Sequence, residues 1–261
     1  MSLISIGHDT CILLAYIYDD GIRDEFENYL EISNNINNRS YSKYYHLLLK
    51  SVVDEISAVI GSRLGNIIKE MSKKLQEIIP ERTTSLSMKQ LSEFLEYMED
   101  LETIYPKDAG LIRYIKRNML DKKKNYSSLI DTASRRKKFS EMISLKNRFD
   151  INYFSSLFGT YFKYYDPTDK LRDTEIKEDF EEIMKKIFKG ARTKRNTYDK
   201  IHIYSCCAFI RENRNDNLKF TTSDQILLEN SRLLEKYFEI VDMQSLVRLL
   251  YTHMDSLPES V

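Results

Sequence analysis

Short apolar segments rich in β-branched residues lie near both ends of the chain, and they constrain the fold more than any other feature. "SLISI" occupies residues 2–6, "LKFTTS" residues 218–223 and "FEIVDM" residues 238–243. The last two flank a helical pattern, "DQILLENSRLLEKY", and a strand, helix and strand at this spacing imply parallel pairing. We therefore expect the first strand and the last two to belong to one sheet, with helical sequence inserted between them.

The sequence between these strands has the periodicity of amphipathic helices. One pattern runs from about Ser42 through Met71, and others continue through "YSSLIDTASRRKKFSEMISLKNRF" at 126–149, with breaks near Pro80 and Pro106. Apolar residues recur at intervals of three and four with charges between them, so each helix buries one face. Only seven glycines and four prolines, against 31% charged residues, favour long helices with few tight turns.

Composition limits the class of protein. The 40 basic and 40 acidic residues cancel, so any surface for nucleic acid must be local. Three cysteines, two of them adjacent, provide neither a disulfide framework nor zinc-ligand spacing, which suits a reducing cytosol. Since no apolar run is long enough to span a bilayer, we expect a cytoplasmic protein without a membrane partner.

Acidic residues follow two of the expected strands. Asp9 comes after the first strand, and Asp224 comes directly after "LKFTTS". Ligands of open parallel sheets bind outside the carboxyl ends of the strands, so these two carboxylates are expected to face the same crevice. The alternative is that each one simply caps the helix that follows it, because aspartate is favoured at that position.

Two further acids interrupt apolar patterns. Glu55 shares a helix face with Leu48, Val52 and Val59, and a carboxylate on a buried edge costs free energy unless a cation or a donor compensates it. Asp199 opens "YDKIHIYSCCAFI", which is apolar on nearly every side; a helix there would place it in the first turn, although "IHIYS" alone favours a strand. The alternatives are that Glu55 pairs with a lysine or reaches solvent, and that Asp199 is an ordinary first-turn acid.

Four segments, in their order along the chain, resemble the PIN-domain family of metal-dependent nucleases: "HDTCILLAY", "SVVDEI", "YDKIHIYSCCA" and "TTSDQILLEN". "KYFEIVDM" is similar to the last strand of that family. The resemblance covers about the first 60 and the last 65 residues. It implies an α/β fold, a three-layer PIN-like core with a small parallel sheet flanked by helices, formed by residues 1–60 and 191–261 as one discontinuous domain. Residues 61–190 would be a large all-helical insertion.

The resemblance also implies a chemistry, the hydrolysis of RNA phosphodiester bonds by an endoribonuclease that uses Mg²⁺ or Mn²⁺. Thr222 or Ser223 would hydrogen-bond a ligand carboxylate or the scissile phosphate. Ile226 stands where many family members carry a further acid. The residues expected to hold the metal and to be catalytic are Asp9, Glu55, Asp199 and Asp224.

A basic segment lies immediately before Asp199. "KKIFKGARTKR", residues 185–195, contains six cations and no acid, and a second run, "RRKK", occupies 135–138. Such clusters neutralise phosphates and position a strand without reading its sequence, which suits single-stranded or structured RNA; a solvated charged face is the alternative. The expected RNA-binding residues are Lys185, Lys186, Lys189, Arg192, Lys194 and Arg195.

Other features carry less functional information. Eight aromatic residues occur in "FDINYFSSLFGTYFKYY" at 149–165, a density more typical of a core or a partner surface than of base stacking. The four histidines are scattered, with no metal-binding arrangement. The alternative function is a catalytically inactive PIN-like scaffold that binds protein or nucleic acid, with the insertion offering a surface for a protein partner or a second copy. An all-helical regulator would contain no sheet at all.

Overall fold

The computed structural model describes residues 3–18, 21–41, 43–78, 87–120, 149–168, 174–189, 195–214 and 216–257. The chain divides into two compact units. The first, here called the sheet unit, comprises Met1–Tyr16, Gly21–Ile56 and Phe149–Val261. The second, the helical unit, comprises Ile17–Asp20 and Ser57–Arg148.

The helices and strands follow one another in mixed order, with short 3₁₀ turns at Pro106–Asp108, Gly159–Tyr161 and Ser231–Leu233. In chain order they are β1 (Leu3–His8), α1 (Thr10–Tyr18), α2 (Arg23–Arg39), β2 (Lys43–Leu49), α3 (Lys50–Ile78), α4 (Met88–Ile104), α5 (Ala109–Leu120), α6 (Ile151–Phe158), β3 (Phe162–Tyr165), α7 (Thr174–Ile187), α8 (Arg195–Glu212), β4 (Asp216–Thr221), α9 (Gln225–Glu229), β5 (Glu239–Val241) and α10 (Met243–Asp255).

The sheet unit contains five parallel strands in the order β3-β2-β1-β4-β5. The central strand β1 pairs with β2 on one side and β4 on the other, so that Gly7 lies between Leu47 and Phe220. A Cβ at Gly7 would lie 3.0 Å from the Phe220 ring, so the position suits glycine. The expected parallel pairing of the last two strands, and their place in one sheet with the first, are confirmed.

Helices cover both faces of this sheet. Tyr44 and His46, two residues apart on β2, point to one face, where their side chains hydrogen-bond His253 of α10 and Tyr29 of α2. Tyr45 lies between them in sequence and points to the other face, where Lys163 stacks on its ring and on that of Phe209 in α8. A parallel sheet flanked by helices is therefore confirmed as a three-layer α/β arrangement.

Strand β2 was not expected from the sequence. The helical pattern placed a helix from about Ser42, but Lys43–Leu49 is a strand and the helix begins only at Lys50. Leu48 therefore does not share a helix face with Glu55. The error has a physical cause, because a central parallel strand is buried on both faces and so lacks the apolar and polar alternation that marks a strand.

The aromatic segment belongs to the sheet unit rather than to the helical insertion. Its residues form α6 and the edge strand β3, which pairs with β2 through the register His46↔Phe162. Phe154 and Phe158 are buried, as the core interpretation predicts. The sheet unit thus extends over 149–189, which the sequence assigned to the insertion, whereas the helical unit ends at Arg148. The expected helix at 126–148 and the basic run at 135–138 lie outside the described residues.

The helical unit has its own apolar core. Apolar side chains of α3, α4 and α5 line it, and α4 and α5 are joined by the ion pairs Lys116–Glu99 and Arg113–Glu102. Gly110, the second residue of α5, lies so close to Tyr18 that an added Cβ would be 2.5 Å from the Tyr18 carbonyl oxygen. Within the described residues, none of the helices combines the length and the apolar character that crossing a membrane requires.

Candidate metal centre at the carboxyl edge of the sheet

The carboxyl ends of β1 and β4 lie side by side. The two strands pair from Leu3↔Asp216 to His8↔Thr221, and the Asp9 amide donates to the Thr221 carbonyl at 2.9 Å. Asp9 therefore stands at the first position beyond the sheet, beside the segment that leads to Asp224. This arrangement brings together the ends of two strands that are more than 200 residues apart in sequence.

Asp9 is buried and held by three donors. Its Oδ1 accepts from the Thr10 amide at 2.7 Å, and its Oδ2 accepts from Thr222 Oγ1 at 2.6 Å and from Cys11 Sγ at 3.2 Å. Burial and the charge of Asp9 raise the pKa of the Cys11 thiol to about 12, so the thiol remains a donor. Only 3% of Asp9 is exposed, and the three donors fix its orientation while leaving further lone pairs on both oxygens.

Glu55 projects from the first two turns of α3 toward the same point. Its Oε2 lies 2.9 Å from Nε2 of His202, a fully buried residue of α8. The same Nε2 lies 3.8 Å from Asp9 Oδ1, and His202 Nδ1 lies 2.8 Å from Ser51 Oγ. One oxygen each of Asp9 and Glu55 and one nitrogen of His202 lie within 4.8 Å of one another. The imidazole of His202 is thus one compensating partner of Glu55 in the protein.

Asp199 lies one helical turn before His202 on α8, which begins at Arg195, so Asp199 is in the second turn rather than the first. Burial and then the charges of Asp9, Asp224 and Glu55 together raise the pKa of the Asp199 carboxyl to about 6, while His202 opposes them. The four carboxylates predicted from the sequence therefore share one electrostatic environment, and Asp9, Glu55, Asp199 and Asp224 are called the acidic cluster below. Crowding of this kind is relieved by a bound cation.

Asp224 has a structural role that the sequence left open. Its Oδ1 accepts from the amides of Ile226 at 2.7 Å and Leu227 at 3.3 Å, so it caps α9 as the alternative interpretation proposed. Its own amide donates to Thr222 Oγ1 at 2.9 Å. Thr222 thus links Asp224 to Asp9, whereas the side chain of Ser223 is exposed and its amide donates to Cys11 Sγ. Ile226, where the family pattern has an acid, is 38% exposed.

The basic segment is only partly described. Lys185 and Lys186, near the end of α7, form exposed i,i+4 pairs with Glu181 and Glu182. Such pairs contribute little stability and fit a solvated charged face. Lys189 is also exposed. Arg192 and Lys194 lie outside the described residues, and Arg195 is described only as the first residue of α8.

His202 was not expected from the sequence to belong to the site, because the four histidines are scattered along the chain. In the structure its ring contacts Glu55, 147 residues away in sequence, and lies beside Asp9. The available signal was its spacing of three from Asp199 in a helical segment, which places both residues on one face.

His8, the immediate neighbour of Asp9, belongs to a different network. Its Nδ1 lies 2.8 Å from Thr221 Oγ1 and its Nε2 3.2 Å from the Tyr29 hydroxyl, which in turn contacts His46. Burial lowers the pKa of His8 well below its ordinary value and that of His46 to about 3. Both rings are therefore neutral near pH 7, and neither offsets the charge of the acidic cluster.

The donor set fits a divalent cation. Two carboxylates and an imidazole lie close enough for one ion to contact all three, and Asp199 and Asp224 supply further negative charge. Carboxylates suit Mg²⁺ and Mn²⁺, whereas an imidazole ligand is accepted by Mn²⁺ more readily than by Mg²⁺. Ser51 is placed to orient the ring, because its hydroxyl can accept from Nδ1–H and so leave the Nε2 lone pair free for the metal.

The sequence matches no protein-family model and no curated protein, and the structure matches no solved structure. The resemblance to PIN-domain nucleases therefore rests on the motifs themselves. Any function assigned to the chain has to be argued from the geometry of the acidic cluster.

Proposed function

We propose that the chain is a metal-dependent endoribonuclease with a PIN-like core, which hydrolyses phosphodiester bonds of single-stranded or structured RNA. One observation carries the proposal: Asp9, Glu55 and His202 present ligand atoms within 4.8 Å of one another at the carboxyl edge of a parallel sheet. Asp199 and Asp224 lie near enough to act electrostatically on the same point.

The proposed cofactor is Mn²⁺ or Mg²⁺, with Mn²⁺ favoured by the imidazole nitrogen. A cation of this kind supplies an activated water and neutralises the charge that develops on the phosphate. Asp9 and Glu55 would bind it directly, with Asp9 held in place by Thr10, Cys11 and Thr222. Asp199 and Asp224 would complete the coordination directly or through water.

Exposed lysines near the end of α7 and just beyond it support an RNA substrate. Lys185, Lys186 and Lys189 extend into solvent, where Lys and Arg side chains bind phosphates and release counterions. RNA affinity is then expected to fall steeply with salt concentration, whereas the affinity for Mn²⁺ is not expected to depend on these lysines.

The test combines metal binding with cleavage. The full chain, stripped with EDTA, would be titrated with Mn²⁺ by calorimetry and assayed on a panel of fluorescent single-stranded and hairpin RNAs. Changing a group that only orients a metal ligand costs about 10- to 100-fold in affinity or activity, so Asp9→Asn, which alters a ligand itself, is expected to cost at least as much. Asp54→Asn is the matched control, because Asp54 precedes Glu55 but is exposed and pairs with Lys50.

A catalytically inactive scaffold is the second candidate, and a specific observation favours it. The cluster is already partly satisfied within the protein, because His202 contacts Glu55, three donors hold Asp9 and Asp224 caps α9. Stoichiometric Mn²⁺ binding with no cleavage of any RNA or DNA would favour the scaffold. Cleavage that requires Mn²⁺ and is lost in Asp9→Asn but not in Asp54→Asn would exclude it.

A further inference from the structure

A cavity adjoins the acidic cluster in the sheet unit. It encloses about 500 Å³ and lies beyond the ends of β4 and β5, between α1, the start of α2, and the residues that begin α9 and α10. Its volume is within the range of about 300–1,000 Å³ that is usual for small-molecule sites. Thr222 belongs to both places, because it lines the cavity and its hydroxyl donates to Asp9. Thr222 is therefore the residue that the cavity and the acidic cluster have in common.

The floor of the cavity is apolar. Ile12 and Met243 are buried residues that line it, and Leu228 and Ile22 contribute further aliphatic surface. Flat aliphatic walls suit a planar ring, and enzymes that bind single bases hold them against apolar side chains of this kind. The polar groups stand at the rim, where Gln225 and Gln244 are exposed.

The charges of the cavity exclude a phosphate as its occupant. Glu25 and Asp242 are among the residues that line it, whereas no lysine or arginine is found among the lining residues that the structure describes. Asp242 is held in place, since its two oxygens accept from the amide and the hydroxyl of Ser245 at 2.7 Å each. Ionised carboxylates accept hydrogen bonds and donate none, so a ring held on the apolar floor needs N–H donors on the edge that faces them.

We propose that this cavity binds the base of a nucleotide next to the scissile phosphate, and that it prefers bases with an exocyclic amino group. Adenine, cytosine and guanine offer such a group, and uracil does not. Glu25 is the proposed acceptor, and the Gln225 and Gln244 amides supply both donors and acceptors for the remaining edge of the ring. This inference rests on the proposed nuclease function for its substrate, but the binding of a base can be measured without a metal.

The experiment uses nucleosides, which have no phosphate and so do not need the acidic cluster. Methyl resonances of Ile12, Leu228 and Met243 in the full chain would be followed while adenosine, cytidine or uridine is added without metal. Adenosine and cytidine are expected to shift these methyl signals and to bind at least about threefold more tightly than uridine, the difference expected for one hydrogen bond.

Two variants test the polar groups. Glu25→Gln is expected to remove the preference for bases with an amino group. Gln244→Ala is expected to weaken the binding of all nucleosides by about three- to tenfold. Gln76→Ala, at an exposed position of α3 in the helical unit, is the matched control and is expected to change nothing. Since Glu25 is partly exposed and Gln244 is exposed, both substitutions are compatible with folding.

The outcomes separate this inference from the proposed function. Mn²⁺-dependent RNA cleavage without any methyl shift at millimolar nucleoside would overturn the proposal that the cavity binds a base, while the proposed nuclease function would stand. Equal or tighter binding of uridine would overturn the preference for amino groups. Nucleoside binding in a protein that cleaves no RNA would overturn the assignment of the base to a cleavage substrate. Faster cleavage of RNAs that carry adenine or cytosine next to the cut site, lost in Glu25→Gln, is the supporting result.

Discussion

The acidic cluster is expected to destabilise the metal-free protein, and Asp199→Asn tests this directly. The substitution keeps the size and shape of the side chain and removes one negative charge. The pKa of the Asp199 carboxyl rises from its ordinary 3.8 to about 6, because of burial and then the charges of Asp9, Asp224 and Glu55. The ionised form is therefore less favourable in the folded protein than in the unfolded chain.

The magnitude follows from this rise. Since a change of one in the pKa corresponds to 1.36 kcal/mol, a rise of about 2 corresponds to about 3 kcal/mol. Asp199 is only partly buried, so solvent screening reduces the effect, and we expect Asp199→Asn to raise the free energy of unfolding by about 1–2 kcal/mol at pH 7.5.

Stability depends on the ionisation of Asp199 in the opposite direction to that of a carboxylate whose pKa is lowered by folding. Well below pH 3.8 the carboxyl is protonated in both the folded and the unfolded chain, so the wild type carries no penalty there. Between pH 3.8 and about pH 6 the unfolded chain loses its proton first, and the penalty grows toward its full value. The advantage of Asp199→Asn should therefore be nearly full above pH 6 and shrink to a small fraction of that value at pH 4.

Thermal unfolding in EDTA at pH 7.5 and pH 4 measures this difference, with an expected rise of about 2–8 °C in Tm at pH 7.5 and a much smaller rise at pH 4. Asp54→Asn makes the same change in net charge at an exposed position and is expected to shift the free energy by no more than about 0.5 kcal/mol. Equal stability of Asp199→Asn and the wild type at pH 7.5, or an advantage as large at pH 4 as at pH 7.5, would refute the reasoning.

Four further substitutions test individual features of the structure. Asp224→Asn keeps the cap of α9, because asparagine caps about as well as aspartate; it is expected to retain the wild-type Tm and lose Mn²⁺-dependent RNA cleavage, and unchanged cleavage would restrict Asp224 to capping. Gly110→Ala is expected to lower the free energy of unfolding by about 1–3 kcal/mol, since the added Cβ would lie 2.5 Å from the Tyr18 carbonyl oxygen. Gly61→Ala meets nothing within 4 Å and is expected to raise it by about 0.5–1 kcal/mol; urea unfolding that gives both changes the same sign would contradict this. Tyr29→Phe removes the hydroxyl between two buried imidazoles and is expected to cost about 1–3 kcal/mol, so an unchanged urea midpoint would show that the network contributes nothing.

Much of the sheet could be predicted from the sequence. Strands β1, β4 and β5 carry β-branched residues, and the helical pattern between β4 and β5 fixes their parallel direction. Strand β2 could not be predicted, because burial on both faces removes the alternation that separates a strand from a helix. Strand β3 lies within an aromatic segment whose composition suggested only a core.

The candidate site, like the sheet, combines features that the sequence predicts with features that it does not. The sequence by itself determined that Asp9 and Asp224 follow strands of one parallel sheet, because strand propensity and chain direction are local properties. Only the tertiary structure decided that His202 meets Glu55 and that Thr222 joins Asp9 to Asp224, since these contacts span 147 and 213 residues. Contacts at that separation depend on how the sheet and its helices pack, and no spacing along the chain encodes them.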